Sequence, residues 1–303
     1  MSIVQTDVPM TSGRAEAALD ALAEAYPWVR TELLARTEFG RPISAASIGA
    51  GERRVLYSAV HHANEWLTAT VLLKFLEDYA EALENDGTIS GVPARELYER
   101  VTICLVPMVD PDGVDLVTGA AAEEEQDQAR ALAAFYPNIP FPDGWKANLA
   151  GVDLNLQYPA GWLTAREIKF SQGFTRPGPR DFVGRFPLSQ PEVQALADYT
   201  QRIAPSIVIA WHSQGEVIYW QYGGIEIPGA RALAERFADL SGYALEDTPY
   251  NSSFAGYKDW FIQSFRRPGF TIEVGTGENP LPVSQFSDIY RASLPILVAG
   301  AMG

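Results

Sequence analysis

One stretch, residues 55–66, constrains the fold of this chain more than any other. It opens with the apolar run Val-Leu-Tyr-Ser-Ala-Val, which predicts a buried strand. His61, His62 and Glu65 follow at once, at the strand end where α/β proteins place ligands. An imidazole nitrogen and a carboxylate oxygen three residues apart can point at one ion, and both are ligands suited to Zn²⁺.

Histidine usage strengthens this interpretation, because a lone His-x-x-Glu pair often does no more than face water. The chain has three histidines, and the third, His212, ends another apolar run at residues 206–212. A third ligand from a different strand end is how catalytic zinc sites are built, with one position left for water. The sequence therefore predicts one zinc ion held by His62, Glu65 and His212. The spacing to Glu65 excludes His61 from this set.

Composition favours one globular unit. The chain has 303 residues, of which 47% are hydrophobic and 20% charged, enough for one large core. Strands and helices alternate along the sequence, which predicts a single α/β domain over residues 1–303. The net charge of -15 disfavours nucleic acid and anionic membrane surfaces as partners. The single cysteine, Cys104, excludes a disulfide within the chain.

Targeting signals are not evident in the sequence. Residues 1–14 contain no basic segment followed by an apolar one, and no run approaches the roughly 18 apolar residues of a membrane span. The expected location is therefore cytoplasmic, with export left open.

The sequence also predicts the local structure of two other segments. Residues 13–37 predict one or two amphipathic helices, interrupted at Pro27. Residues 166–191 are rich in proline and glycine, carry Arg176, Arg180 and Arg185, and predict a long loop. Loops of that length inside a compact domain are usually functional or disordered.

Glu273 is an acid in the middle of the apolar run at residues 269–275. Burying a carboxylate without a partner is costly, so this residue is either a satisfied core acid or a functional one. Beside a zinc site it could take a proton from water and later hand it to a leaving amine.

Five motifs occur in an order that resembles the zinc metallocarboxypeptidases of the carboxypeptidase A type, from about residue 37 to the end. They are His-Ala-Asn-Glu-Trp at 62–66, Asp-Pro-Asp-Gly at 110–113, Gly-Val-Asp-Leu-Asn at 151–155, His-Ser at 212–213 and Phe-Thr-Ile-Glu at 270–273. The resemblance implies a mixed eight-stranded sheet between helices. It also implies that His62, Glu65 and His212 bind zinc and that Glu273 is the general base.

Two further roles are implied by the same resemblance. Tyr250 is similar to the family's mobile substrate-binding tyrosine, although its distance to the Asp-Trp pair at 259–260 is one residue longer. Lys146 stands where relatives carry an arginine that supports the oxyanion. A lysine keeps the charge and loses the two-pronged donor.

One position departs from the family pattern. Exopeptidase members follow Asp-Leu-Asn with an arginine that clamps the terminal carboxylate of the substrate, whereas this chain has Leu156. Asn155 remains and could hydrogen-bond the substrate. Arg180, between Pro179 and Asp181, is our candidate for the missing carboxylate contact, because the proline restricts the backbone and the acid could orient the guanidinium.

Segments 156–162, 172–181 and 275–282 resemble a bacterial branch of the family, the γ-D-glutamyl-meso-diaminopimelate peptidase I group. This implies a small murein peptide as substrate, with the diamino acid left open between meso-diaminopimelate, lysine and ornithine. Three alternatives remain: a carboxypeptidase acting on ordinary peptides, an aspartoacylase-type amidohydrolase, and a zinc-holding relic that only binds wall peptides. The Asn155-Leu156 pair disfavours the second, which keeps Asn-Arg there, and Glu273 disfavours the third.

Overall fold

The computed structural model describes residues 2–303, and within them a mixed eight-stranded sheet forms the centre of the molecule. The strands lie in the order β1-β2-β6-β3-β7-β10-β8-β9, and β4 pairs with β5 in a separate ribbon. Their bounds are β1 Val29–Arg36, β2 Pro42–Ile48, β3 Arg53–Ala59, β4 Thr88–Ile89, β5 Val92–Pro93, β6 Val101–Val106, β7 Ile207–His212, β8 Val217–Tyr219, β9 Ala244–Glu246 and β10 Gly269–Glu273.

Helices cover both faces of this sheet. Residues of α1, α2, α3, α8 and α10 pack in the core on one face, and residues of α7 and α9 pack in the core on the other. The helix bounds are α1 Ser12–Ala25, α2 Leu67–Glu84, α3 Ala94–Arg100, α4 Pro111–Thr118, α5 Glu123–Ala133, α6 Trp162–Ser171, α7 Pro191–Ile203, α8 Ala230–Ser241, α9 Tyr257–Phe265 and α10 Phe286–Met302. The α/β architecture with a mixed eight-stranded sheet is confirmed.

Strand β3 explains why the run at residues 55–60 is apolar without alternation. Val55 and Tyr57 point into one core and Leu56 into the other, and all three are fully buried. A central strand covered on both faces needs apolar residues at every position.

The central parallel strands bring their carboxyl ends to one edge of the sheet. β3 pairs in parallel with β6 and β7, and β7 pairs in parallel with β10. His212 at the end of β7 lies opposite Glu273 at the end of β10. Residues far apart in sequence therefore meet at this edge, which is where open α/β sheets bind ligands.

Two local expectations differ from the structure. The second half of segment 13–37 is not helical, because residues 29–36 form edge strand β1, paired only with β2. This strand is mostly exposed and lacks the apolar run that identifies the central strands. The predicted loop at 166–191 begins as helix, since α6 extends to Ser171 after the left-handed Gly161.

None of the helices in residues 2–303 is both long enough and apolar enough to cross a membrane.

A buried acid at the start of α7 gives a prediction about stability. Glu192 is 1% exposed, accepts a hydrogen bond from Asn148 Nδ2 at 3.2 Å, and has no partner for Oε2 among the described residues. Burial raises the pKa of Glu192 from 4.5 to about 7. The folded protein therefore favours the protonated form, and its stability should fall as pH rises from 4.5 through about 7.

We expect Glu192→Gln to remove this loss, because the amide keeps an acceptor for Asn148 and cannot ionise. At pH 8 the variant should be more stable than the parent by on the order of 2 kcal/mol, with a much smaller difference at pH 5. Urea unfolding at the two pH values measures this, with exposed Glu123→Gln as control. An equal effect of Glu192→Gln at both pH values would contradict the prediction.

Candidate active site

The three predicted zinc ligands converge at the carboxyl edge of the sheet. His62 lies just beyond β3 and precedes a short 3₁₀ turn, and Glu65 lies in that turn. His212 ends β7. Nδ1 of His62 is 2.9 Å from Oε1 of Glu65, and Nδ1 of His212 is 2.9 Å from Oε2. Ligand atoms of all three lie within 4.8 Å of one another. Two imidazole nitrogens and a carboxylate this close fit one Zn²⁺ with room for a further ligand.

His61 lies outside this cluster. Its Nε2 is 3.1 Å from the hydroxyl of Tyr158, and its ring stacks on that of Tyr257 with centroids 5.5 Å apart. It also stacks on His212 at 5.6 Å. The side chain is fully buried, so its surroundings are those of a packing residue behind the cluster.

Asp153 supports the cluster from behind. Its Oδ1 lies 3.3 Å from Nε2 of His62, and its Oδ2 accepts the backbone N–H of Asp181 at 3.1 Å. Burial opposes ionisation, yet His62, Lys169 and the Asp181 N–H together hold the pKa of Asp153 well below its ordinary value. A carboxylate on the far nitrogen of a ligating histidine fixes the tautomer and orientation of the ring.

Glu273 lies beside the cluster at the end of β10 and lines the same cavity as His62. Burial raises the pKa of Glu273, and Glu65 adds to this, while His212 and Lys146 work in the opposite direction. A carboxyl group with a raised pKa is a better match for proton transfer near neutral pH.

Lys146 points its ammonium at the cluster. Nζ lies 2.9 Å from Oε1 of Glu65, and the backbone carbonyl accepts the N–H of Ala63 at 3.1 Å. Burial disfavours the charge, but Glu65 more than offsets it, so the pKa of Lys146 is raised and the group stays cationic. Its position gives the site a fixed positive charge.

Three other residues singled out in the sequence also line the cavity. Asn155 does so, with Oδ1 accepting the backbone N–H of Tyr257 at 3.0 Å. Leu156 is adjacent and presents an apolar wall. Arg180 also lines the cavity, and its Nε donates to Oδ2 of Asp181 at 2.6 Å.

Tyr250 is the predicted residue that the structure does not bring to this cavity. Its side chain is 68% exposed and packs edge to face on Phe254, with ring centroids 5.2 Å apart. Pro249 and Ser252, on either side of it, do line the cavity. Its role in substrate binding stays a prediction that would require the side chain to move.

Two cavity lysines were missed by the sequence reasoning. Lys169 on α6 is 2.6 Å from Oδ1 of Asp181, and Lys258 on α9 pairs with Asp259. Both lysines are buried. A lysine in a helical segment is usually a surface residue. The contact of Lys169 with Asp181 depends on tertiary packing, and the sequence does not show that the neighbouring pair of Lys258 and Asp259 is buried.

Comparison with known proteins decides the family. The family model described as zinc carboxypeptidase matches residues 15–295. The chain belongs to the zinc carboxypeptidase family. It is 44% identical over 279 residues to gamma-D-glutamyl-L-diamino acid endopeptidase 1 of Lysinibacillus sphaericus, covering 92% of this chain and 69% of that protein. It is 37% identical over 286 residues to the uncharacterized protein YqgT of Bacillus subtilis (strain 168), covering 93% and 74%.

Solved structures agree on the fold of this zinc carboxypeptidase family member. Thrombin activatable fibrinolysis inhibitor superposes with a TM-score of 0.78 at 16% identity, covering 100% of this chain and 76% of that one. Murein-tripeptide amidase MpaA from Escherichia coli O157 superposes with a TM-score of 0.55 at 21% identity, covering 89% and 91%. The chain is a zinc-dependent metallopeptidase, and the His-Glu-His cluster has the donors such an enzyme needs.

Proposed function

We propose that this metallopeptidase hydrolyses the bond between γ-D-glutamate and a diamino acid, meso-diaminopimelate first among the candidates, in bacterial cell-wall peptides. The observation that carries the proposal is the 44% identity to the Lysinibacillus endopeptidase over 92% of the chain. The net charge of -15 disfavours nucleic acid as a partner.

His62, Glu65 and His212 would hold the zinc ion in this reaction. When bound there, zinc would supply Lewis-acid activation of the water and of the scissile carbonyl. Glu273 accepts the proton that the attacking water gives up, and donates it to the nitrogen as the C–N bond breaks. Lys146 opposes the negative charge that develops on the carbonyl oxygen. Asp153 keeps the imidazole of His62 in place throughout.

Arg180 takes the place of the absent carboxylate clamp in this proposal. The apolar Leu156 cannot bind a carboxylate, and the substrate carries several. Nε of Arg180 donates a hydrogen bond to Asp181. Among residues 2–303, neither Nη atom of Arg180 has a hydrogen-bond acceptor. Asp181 raises the pKa of Arg180 against the effect of burial, so the fork stays charged. Two donors are thus free for a substrate carboxylate.

We expect Arg180→Lys to raise KM or lower kcat/KM by roughly 1–3 kcal/mol, because a lysine keeps the charge and loses the paired donors. Arg185→Lys is the matched control, since Arg185 lies on the same segment and is exposed. Steady-state kinetics on the murein tripeptide measure both variants. Unchanged kinetics in Arg180→Lys would remove this residue from the site.

The proposed linkage specificity is tested with peptides that differ only at the glutamyl bond. We expect cleavage of L-Ala-γ-D-Glu-meso-diaminopimelate and little cleavage of the same residues joined through an α-L-glutamyl bond. Preference for the α-linked peptide would instead support the alternative of a carboxypeptidase acting on ordinary peptides.

A further inference from the structure

Asp181 connects two parts of the site that are otherwise separate. Its carboxylate is shared between Lys169 at 2.6 Å through Oδ1 and Arg180 at 2.6 Å through Oδ2. Its backbone N–H donates to Asp153, whose other oxygen lies 3.3 Å from His62. One residue therefore contacts the candidate carboxylate clamp with its side chain and the support of a metal ligand with its backbone.

The backbone at Asp181 is held in an unusual conformation to make these contacts. Its φ is +65°, in the left-handed region where residues other than glycine are uncommon and Asn and Asp are tolerated best. The backbone just after Asp181 is held as well, since the N–H of Asp153 donates to the carbonyl of Phe182 at 2.9 Å. Such strain persists only where surrounding contacts determine the conformation.

Lys169 offsets the negative charge of Asp181. An aspartate held by Arg180 alone would neutralise the guanidinium. Here the second oxygen is held by a lysine that is 8% exposed, so the trio Lys169, Asp181 and Arg180 keeps a net charge of +1 facing the cavity. The Nε contact also restricts rotation of the guanidinium, and within residues 2–303 neither Nη atom hydrogen-bonds to Asp181.

We propose that Asp181 is a positioning residue for substrate recognition: with Lys169 it orients Arg180 so that the guanidinium fork binds a substrate carboxylate at a fixed place relative to the metal ligands. This inference rests on the proposed function, and deepens it by assigning carboxylate recognition to the trio. It separates the two contacts of Asp181, because the side chain acts on Arg180 while the backbone N–H maintains Asp153.

The test uses Asp181→Asn, which suits the left-handed backbone and keeps the N–H to Asp153 while removing the charge. Binding is measured by calorimetry in zinc-loaded Glu273→Gln protein, in which turnover of the ligand should be slower by about 10²- to 10⁴-fold. The probes are L-Ala-γ-D-Glu-meso-diaminopimelate and two analogues, each with one carboxylate converted to an amide: the glutamyl α-carboxylate, or the diaminopimelate carboxylate beside the scissile nitrogen.

We expect the parent to prefer the free acid to one of the two analogues, and Asp181→Asn to reduce that preference by roughly 10- to 100-fold with zinc content unchanged. Lys169→Gln should change the preference in the same direction by less, and provides a second variant if Asp181→Asn folds poorly. In an Arg180→Lys background, Asp181→Asn should have little further effect, since residues that act through one another are not additive.

Equal weakening of all three ligands, or an unchanged preference in both variants, would overturn the inference, because a structural role alone does not distinguish acid from amide. Absence of any preference in the parent would overturn it too, together with the clamp role of Arg180. Cleavage of the tripeptide by the wild-type enzyme is a separate measurement, so a failure of the proposed reaction is told apart from a failure of this inference.

Discussion

Replacing His62 by alanine is expected to abolish zinc binding and hydrolysis together. His62 supplies one of the three ligand atoms, and the change also leaves Asp153 buried at 4% exposure without its imidazole partner. Loss of an outer-sphere partner alone typically costs 10- to 100-fold in metal affinity, so loss of a ligand should cost more than about 100-fold. Metal content by elemental analysis and turnover of the peptide substrate measure the two effects.

The control is the neighbouring histidine. His61→Phe keeps a ring between His212 and Tyr257 and gives up only the contact with Tyr158. We expect it to retain one zinc ion per chain. Full zinc in His62→Ala, or its loss in His61→Phe, would reverse the assignment of the two residues.

Replacing Glu273 by glutamine is expected to leave zinc and fold intact and to lower kcat by about 10²- to 10⁴-fold, the usual contribution of a general acid–base group. The amide has nearly the same shape but cannot accept a proton. Glu278→Gln, in the exposed loop after β10, is the matched control and should retain activity. Turnover within a few-fold of wild type would place the base elsewhere.

The pH dependence follows from the same residue. A base must be ionised to act, and burial raises the pKa of Glu273 above 4.5. The rate of the wild-type enzyme should therefore be present above this raised pKa and fall as pH drops through it. In Glu273→Gln that acidic limb should be absent from the residual activity.

The central strands of the sheet could be predicted from the sequence more fully than edge strand β1 and helix α6. Strands β3, β7 and β10 are buried on both faces, so their apolar runs could be recognised in the sequence. The polar residues after β3 and at the end of β7 identified the cluster, whereas Glu273 was expected in the middle of a strand and instead ends β10. Edge strand β1 was missed because exposure removes the constraint on its composition. Helix α6 begins at Trp162, after the left-handed Gly161, and its last residues were predicted as loop.

The same distinction applies to the site. Ligand spacing is local, so His62 and Glu65 could be paired from sequence, and the scarcity of histidine pointed to His212. The contact between Lys169 and Asp181 depends on how a helix packs against a loop, which no local pattern encodes. The exposed position of Tyr250 is likewise a tertiary outcome.

The most direct test of the account is to incubate the protein with L-Ala-γ-D-Glu-meso-diaminopimelate before and after removal of metal, and to identify the products by mass spectrometry. We predict L-Ala-D-Glu and free diaminopimelate from the zinc-loaded enzyme, no products after chelation, and recovery on adding one equivalent of zinc. An intact tripeptide with zinc bound, alongside cleavage of a blocked α-linked peptide, would contradict the account.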